Sequence, residues 1–233
     1  FEDLLLARGT MLGSKRQPFK QMTVTDENNR SKLDKMKENY NRLGLDCLVT
    51  LGGAGTHKTA ALLAAEGCNV IGLPKTIDND IWGTDVTFGF NSAMEIATEC
   101  IDRMHSTAAS HGRTMLVEVM GNKVGWLTLY AGLAGGANII LIPEIPYDED
   151  AVVAVLEKRR KAGARYSIVA VAEGALSKEE ASLKKKDRLT LRAARGETTV
   201  TQRLARNIEA RTGVETRTQV IGYLPVSYTH LRA

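Results

Sequence analysis

Short apolar runs alternate along the chain with longer segments of helical period. Residues 46–51 (DCLVTL), 69–73 (NVIGL), 114–120 (TMLVEVM), 138–143 (NIILIP) and 167–172 (SIVAVA) are almost continuously hydrophobic. That is the pattern of parallel strands covered on both faces, which need no polar side to meet water. Between them, residues 58–66, 92–105, 125–134 and 150–162 carry apolar positions at helical spacing. A further helix near 201–212 and a last strand around 216–221 close the series. Strands alternating with helices predict right-handed βαβ crossovers, hence a doubly wound α/β fold with mostly parallel sheets. The polar segment 177–195 interrupts the pattern, and its charge run, KKKDR at 184–188, reads as a solvated helix face or loop. No internal repeat or low-complexity linker appears, so a soft boundary is expected near residues 89–91.

Composition narrows the function classes. With 233 residues, 43% of them hydrophobic, the chain is long enough for one large domain or two lobes with real cores. Its net charge of +4 suits anionic small molecules and is too weak to argue for nucleic acid; only 5% of residues are aromatic, so base-stacking platforms are not expected. Cys47, Cys68 and Cys100 are widely spaced without metal or redox spacing, which predicts buried thiols in a reducing cytosol. No uncharged apolar stretch of about 18 residues suggests a helical membrane span. The opening FEDLLLARGT contains acidic residues and no long apolar core, unlike a signal peptide; lacking Met, it is expected to start in mid-domain.

The polar chemistry sits where such folds place ligands, beyond the carboxyl ends of the strands. LGGAGTHKTA (51–60) follows the first run and PKTIDND (74–80) the second, so both are expected to face one crevice. Gly52, Gly53 and Gly55 stand between a strand and a helix start, where backbone N–H groups and the helix dipole favour phosphate; Thr56 adds a hydroxyl. Tight turns also use glycine for backbone reasons, and that reading stays open. GTMLGSKRQPF (9–19) adds Ser14, Lys15 and Arg16 as a polyanion candidate. In PKTIDND, Asp78, Asn79 and Asp80 either organise an Asx turn or divide into a proton acceptor and a cation holder. Phosphoryl transfer needs that division of labour.

Together these segments resemble a phosphofructokinase, the family that phosphorylates fructose 6-phosphate on its 1-hydroxyl in glycolysis. The resemblance runs from about residue 9 to 224 through GTMLGSKR, GGAGT, PKTIDND, GTDVTFGFNSA, CIDRMHSTAASHGR, VEVMG, AGLAGGANIILIPE, VAEGA and GVETRTQVIGYL. NAD kinases and lipid kinases share a comparable glycine turn but not the TIDND and VEVMG segments. The resemblance implies two Rossmann-like lobes: residues 1–89 as part of a nucleotide-binding lobe and 90–224 as the fructose 6-phosphate lobe. It makes Asp78 the general base and sets Asp80 at a Mg2+ ion. Thr76, Asp78, Met120 and Gly121 would touch the sugar, Glu173 its hydroxyls, and Arg113 and Arg217 the 6-phosphate, often across a subunit boundary. Arg16, Gly52, Gly53, Gly55 and Thr56 would meet the nucleotide phosphates. A cytoplasmic homo-oligomer, dimer or tetramer, acting on fructose 6-phosphate and ATP is implied, with no nucleic-acid or membrane partner.

The chain departs from the family pattern at several points. Ala54 stands where Asp is normal, and Asn122 where many members carry an Arg that stabilises the transferring phosphoryl group; Lys123 is the nearest substitute. Gly55 leaves room for the α-phosphate of ATP, whereas pyrophosphate users typically carry Asp there; Lys75 points the other way, being typical of pyrophosphate users. ATP is the expected donor and pyrophosphate the alternative. A glycine-rich loop and first strand would precede Phe1 in a complete member, and residues 225–233 (PVSYTHLRA) read as a non-family tail, so the first lobe is expected to be incomplete. These departures keep a non-catalytic sugar-phosphate-binding homologue as the rival reading.

Overall fold

The computed structural model describes Gly13, residues 17–196 and residues 199–226. They form two compact units that divide between Gly89 and Phe90.

In the first unit a 3-10 turn, Phe19–Gln21, precedes α1, Lys32–Arg42. Ser31 caps α1 by accepting from the Asp34 N–H at 3.1 Å, while the Asp34 carboxylate returns to the Ser31 N–H at 2.8 Å. This reciprocal box satisfies two N–H groups that a helix start otherwise leaves open. The apolar runs did not predict α1, because Leu33, Met36 and Tyr40 are thinly spread among eleven residues. β1, Leu48–Gly52, α2, Ala54–Ala65, and β2, Val70–Pro74, then form a βαβ unit. β1 and β2 pair in parallel from Leu48 opposite Val70 to Gly52 opposite Pro74. Leu33, Leu63 and Cys68 are buried at the centre of a cluster that Tyr40, Leu48, Leu62 and Val70 complete. Side chains alternate across a strand, so Val49, Leu51 and Ile71 lie on the other face, and each stays about half exposed. Here the expectation of strands covered on both faces fails: α1 and α2 cover one side only.

The second unit meets that expectation. It comprises α3, Phe90–His111, β3, Thr114–Val119, α4, Trp126–Ala134, β4, Ile139–Leu141, α5, Glu149–Lys161, β5, Ser167–Ala172, α6, Lys178–Ser182, α7, Lys185–Ala194, α8, Val200–Thr212, and β6, Thr216–Val220. Four parallel strands run in the order β4-β5-β3-β6. Every residue of β3 and β5 is buried. Leu116, Val169 and Val171 join a core with Val152, Val153 and Leu156 of α5 and with Leu204 and Ile208 of α8. α3 and α4 also pack on this sheet. Gly132 lets α4 approach, since a Cβ there would stand 3.0 Å from both Ala170 and Ile140.

Segment 177–195 holds α6 and α7, and the charge run within it lies on a solvated helix face, as expected. Ser177 caps α6, and Glu180, fully buried, accepts from the Ser177 N–H at 3.1 Å, Arg192 at 2.6 Å and Arg203 at 3.0 Å. Arg203 also donates to the Tyr147 hydroxyl at 2.7 Å. Burial pushes the Tyr147 phenol up to about 12. Burial also acts to raise the Glu180 carboxyl, but hydrogen bonds from the two guanidiniums and the Ser177 N–H outweigh it and hold the group near about 2. α7 itself, which carries the KKKDR run, buries no residue. Among the cysteines only Cys68 is buried; Cys47 and Cys100 are partly exposed, and burial raises the Cys100 thiol.

Candidate active site

The sequence-predicted residues fall into three groups, one in the first unit and two in the second. Arg16 lies outside the described residues.

The first group stands at the carboxyl ends of β1 and β2. α2 starts directly after β1, with Gly53 as an N-cap that offers no side chain. The first helical bond runs from the His57 N–H to the Gly53 carbonyl at 3.1 Å, so the N–H groups of Ala54, Gly55 and Thr56 precede it. Three N–H groups at the positive end of a helix make an anion cradle. Gly52 has to be glycine because the Thr56 side chain fills the space a Cβ would need. A Cβ on Gly55, by contrast, would meet nothing within 4 Å. A Cβ on Gly53 would lie 3.8 Å from the Thr76 Cβ, and the Lys75 N–H donates to the Gly52 carbonyl at 3.0 Å. The glycine turn and the carboxylate loop therefore share one edge of this unit.

In that loop the three polar residues do different things. Asn79 takes the left-handed conformation, φ 52°. Its Oδ1 accepts from the Thr87 N–H at 2.8 Å and its Nδ2 donates to the Asp85 carbonyl at 3.3 Å. Asn79 is thus the turn organiser, and sequence reasoning gave it no separate role. Asp78 is partly buried, with its own N–H on the Thr76 hydroxyl at 3.2 Å, and Asp80 is exposed. Lys75 is partly buried beside them, and burial lowers its ammonium.

A divalent ion can be tested against this donor set. Among the described residues no three or more His, Cys, Asp or Glu side chains gather to form a cage. Magnesium keeps several waters and takes one or two carboxylates together with substrate phosphates. Asp78 and Asp80, two positions apart on one loop beside a phosphate-type helix start, fit an ion that arrives with its polyphosphate. Ala54, the first residue of α2, adds no oxygen ligand.

The second group lies at the carboxyl ends of β3 and β5. Glu173 Oε1 accepts from the Gly121 N–H at 3.3 Å and the Asn122 N–H at 2.7 Å, so the strand-end carboxylate ties down the Met120–Gly121 turn. Any Cβ on Gly121 would run into the Val124 carbonyl, and one on Gly174 into the Asn122 carbonyl. Met120 is partly buried, and Asn122 and Lys123 are exposed.

The third group sits at the other end of the same sheet. Arg113 immediately precedes β3 and Arg217 is the second residue of β6. Glu215 holds both, accepting from Arg113 Nε and from an Arg217 guanidinium nitrogen, each at 2.5 Å. The hydrogen bond from Arg113 lowers the Glu215 carboxyl. Glu215 was not singled out in the sequence, although its place two residues before Arg217 on an alternating strand puts both side chains on one face. With a rise of about 3.3 Å per residue, the six residues of β3 separate this arginine pair from Met120 and Glu173 by about 20 Å. One copy of the chain does not bring the two groups around one small ligand.

Known proteins are similar to this chain in sequence and in fold. A family model described as "Phosphofructokinase" matches residues 1–228. An ATP-dependent 6-phosphofructokinase of Spirochaeta thermophila is 56% identical over 227 residues, covering 96% of this chain and 62% of the relative. A pyrophosphate--fructose 6-phosphate 1-phosphotransferase of Streptomyces coelicolor is 45% identical over 219 residues, covering 93% of this chain and 61% of that protein. Phosphofructokinase from Saccharomyces cerevisiae superposes with a TM-score of 0.74 at 29% identity, covering 94% of this chain and 29% of that one. The chain therefore spans less than two thirds of the length of these proteins.

Proposed function

The chain belongs to the phosphofructokinase family, and from that premise we propose that it carries the phosphoryl-transfer centre of an ATP-dependent 6-phosphofructokinase. The observation that carries this reading is the shared edge of the first unit: an uncapped helix start for polyphosphate beside a loop with two carboxylates. Asp78 takes the proton from the 1-hydroxyl of fructose 6-phosphate as that oxygen attacks the γ-phosphorus, giving fructose 1,6-bisphosphate and ADP. The N–H groups at the start of α2 hold the donor phosphates, with Thr56 at their side. Asp80 is the ligand for Mg2+, which when bound spreads the charge of the transferring phosphoryl group. Thr76 is the sugar contact proposed on the first unit, and Met120, Gly121 and Glu173 are those proposed on the second.

ATP is the favoured donor because the space beside Gly55 is open, and the Spirochaeta thermophila relative is named for ATP. Lys75 and the Streptomyces coelicolor relative make pyrophosphate the alternative. Initial rates with each donor at equal magnesium, on this chain and on one of the relatives' full length, decide the matter. Turnover with ATP supports the proposal, and turnover with pyrophosphate alone replaces the donor. Fructose 6-phosphate binding without turnover by either chain returns the reading to a non-catalytic homologue, which Ala54 and Asn122 favour. Ala54→Asp then tells whether the absent carboxylate is the reason, by restoring the rate or failing to.

The same reading makes the protein a cytoplasmic homo-oligomer. The 20 Å between Arg113 and Glu173, set by β3, supports a sugar site completed by a second copy whose arginine pair grips the 6-phosphate. Mixing Asp78→Ala with an Arg113→Ala, Arg217→Ala chain should recover activity that neither shows alone. Mixed oligomers without recovery would place both groups in one chain. Three free cysteines suit a reducing compartment, and no helix among the described residues is long and apolar enough to cross a membrane.

A further inference from the structure

We infer that Asn79 is a positioning residue for phosphoryl transfer, acting by clasping the loop that presents Asp78 and Asp80. The inference rests on the function proposed above for those two carboxylates. Asn79 stands between them, and its side chain crosses the base of the loop to reach Thr87 and Asp85 on the returning strand of chain. Thr87, 2% exposed, tightens the same base by donating its hydroxyl to the Thr76 carbonyl at 2.8 Å. The Thr76 N–H in turn reaches the Phe88 carbonyl at 3.1 Å, and the Phe88 N–H the Pro74 carbonyl at 2.9 Å. Residues 74–76 and 87–88 thus form a fixed stem, and everything from 80 to 86 is an excursion from it.

The Asn79 amide ties the stretch between the two aspartates to that stem at Thr87 and to the returning chain at Asp85. An amide at this point offers an acceptor and a donor on separate atoms to a backbone N–H and a backbone carbonyl at once, whereas a carboxylate only accepts and a hydroxyl has a single short-armed oxygen for both. It also tolerates the left-handed backbone that stands between Asp78 and Asp80. The excursion's tip carries Trp82, 99% exposed, so the packing of this side chain supplies none of the order that the clasp gives at the base. Two carboxylates with separate tasks require separate, fixed directions. The clasp supplies them, and it answers why a turn that needs one Asx residue holds three.

Asn79→Gly keeps the left-handed backbone and removes both side-chain bonds, while Asn79→Ala removes the bonds and opposes the backbone as well. The test measures kcat and KM for fructose 6-phosphate in the full-length form. It also measures the fluorescence anisotropy of Trp82 in this 233-residue chain carrying Trp126→Phe, where it is the sole tryptophan. Asn79→Gly is expected to lower kcat more than tenfold, leave KM within about twofold and reduce the Trp82 anisotropy, with the unfolding midpoint retained. Asn79→Ala should do the same with a lowered midpoint. An Asn79→Gly enzyme of normal kcat would overturn the inference, showing that the backbone conformation alone is what matters. So would a fall in kcat with unchanged anisotropy. If the unsubstituted protein itself turns over no sugar phosphate, the functional reading falls, and unchanged Trp82 anisotropy in both variants would then remove the clasp as well.

Discussion

The strands β1 and β2 and the strands β3 and β5 have the same apolar vocabulary and opposite surroundings. LVTLG and VIGLP leave Val49, Leu51 and Ile71 about half exposed, whereas TMLVEV and SIVAVA are buried at every position. A hydrophobic run therefore predicts a strand without predicting how many faces of it are covered, since that depends on which helices return to it. The two regions also secure their functional loops differently. In the first unit Asn79 binds its own loop, while in the second Glu173 reaches from the end of one strand to hold the turn after its neighbour. The carboxylates proposed for the chemistry hang on the less buried sheet, and the deeply buried one carries the residues proposed for sugar and phosphate contacts.

That division can be broken most sharply at Asp78. Asp78→Ala is expected to lower kcat by about a hundredfold to ten-thousandfold, the range of a lost general base, while calorimetry finds fructose 6-phosphate binding retained. Glu173→Gln, which keeps an oxygen for the Gly121 and Asn122 N–H groups, should instead raise the KM for the sugar phosphate about tenfold and leave kcat nearly alone. Equal effects of the two on kcat would erase the distinction between a reacting and a supporting unit.

The next largest effect belongs to the buried ion network of the second unit. Removing one partner leaves the other charged and dry, a loss of about 3–5 kcal/mol. Glu180→Ala should cost about that much in urea unfolding, because Arg203 and Arg192 lose the carboxylate they share. The pH sign follows from a folded value near about 2 against an unfolded one of about 4.3. Glu180 stabilises fully above the unfolded value, and that contribution is lost as pH falls through the folded one. Unsubstituted protein should therefore lose more stability between about pH 5 and pH 2 than Glu180→Gln does, and parallel curves would assign the acid sensitivity elsewhere.

Much of this architecture was legible before any coordinates. The run at 167–172 is β5 residue for residue, and the alternation of runs and helices gives parallel sheets throughout. α1 was not legible, because a polar helix fixed by a capping box and three apolar contacts lacks a continuous stripe. Neither was the ordering of 177–195: the Ser177–Glu180 capping box accounts only for the start of α6, and the pairing of Glu180 with Arg192 and Arg203 is encoded by no local pattern. Within the candidate site, residue types and spacing pointed to the glycine turn and to the paired aspartates. The role of Asn79 was hidden because its partners are backbone groups six and eight residues away. Glu215 was hidden because a surface carboxylate beside an arginine looks ordinary until one carboxylate is seen to hold two.

The smallest expected effect is also the most direct measure of the contrast between the sheets. Leu116, in β3, is 0% exposed and meets side chains from α5 and α8, so Leu116→Ala removes buried surface and leaves a cavity. Such a change costs about 2–5 kcal/mol, and about 3 kcal/mol is expected here from the shift in the urea midpoint. Val49 is 49% exposed on the uncovered face of β1. Val49→Thr keeps the β-branched shape that suits a strand and trades one methyl group for a hydroxyl that water already reaches, so it should change stability by less than about 0.5 kcal/mol. The pair is informative because local sequence barely separates the two positions; only the return of helices to the sheet does. A cost for Val49→Thr near that of Leu116→Ala would mean that a further surface covers Val49 in solution, and full-length protein set against this chain in the same measurement would say whether it comes from the same polypeptide.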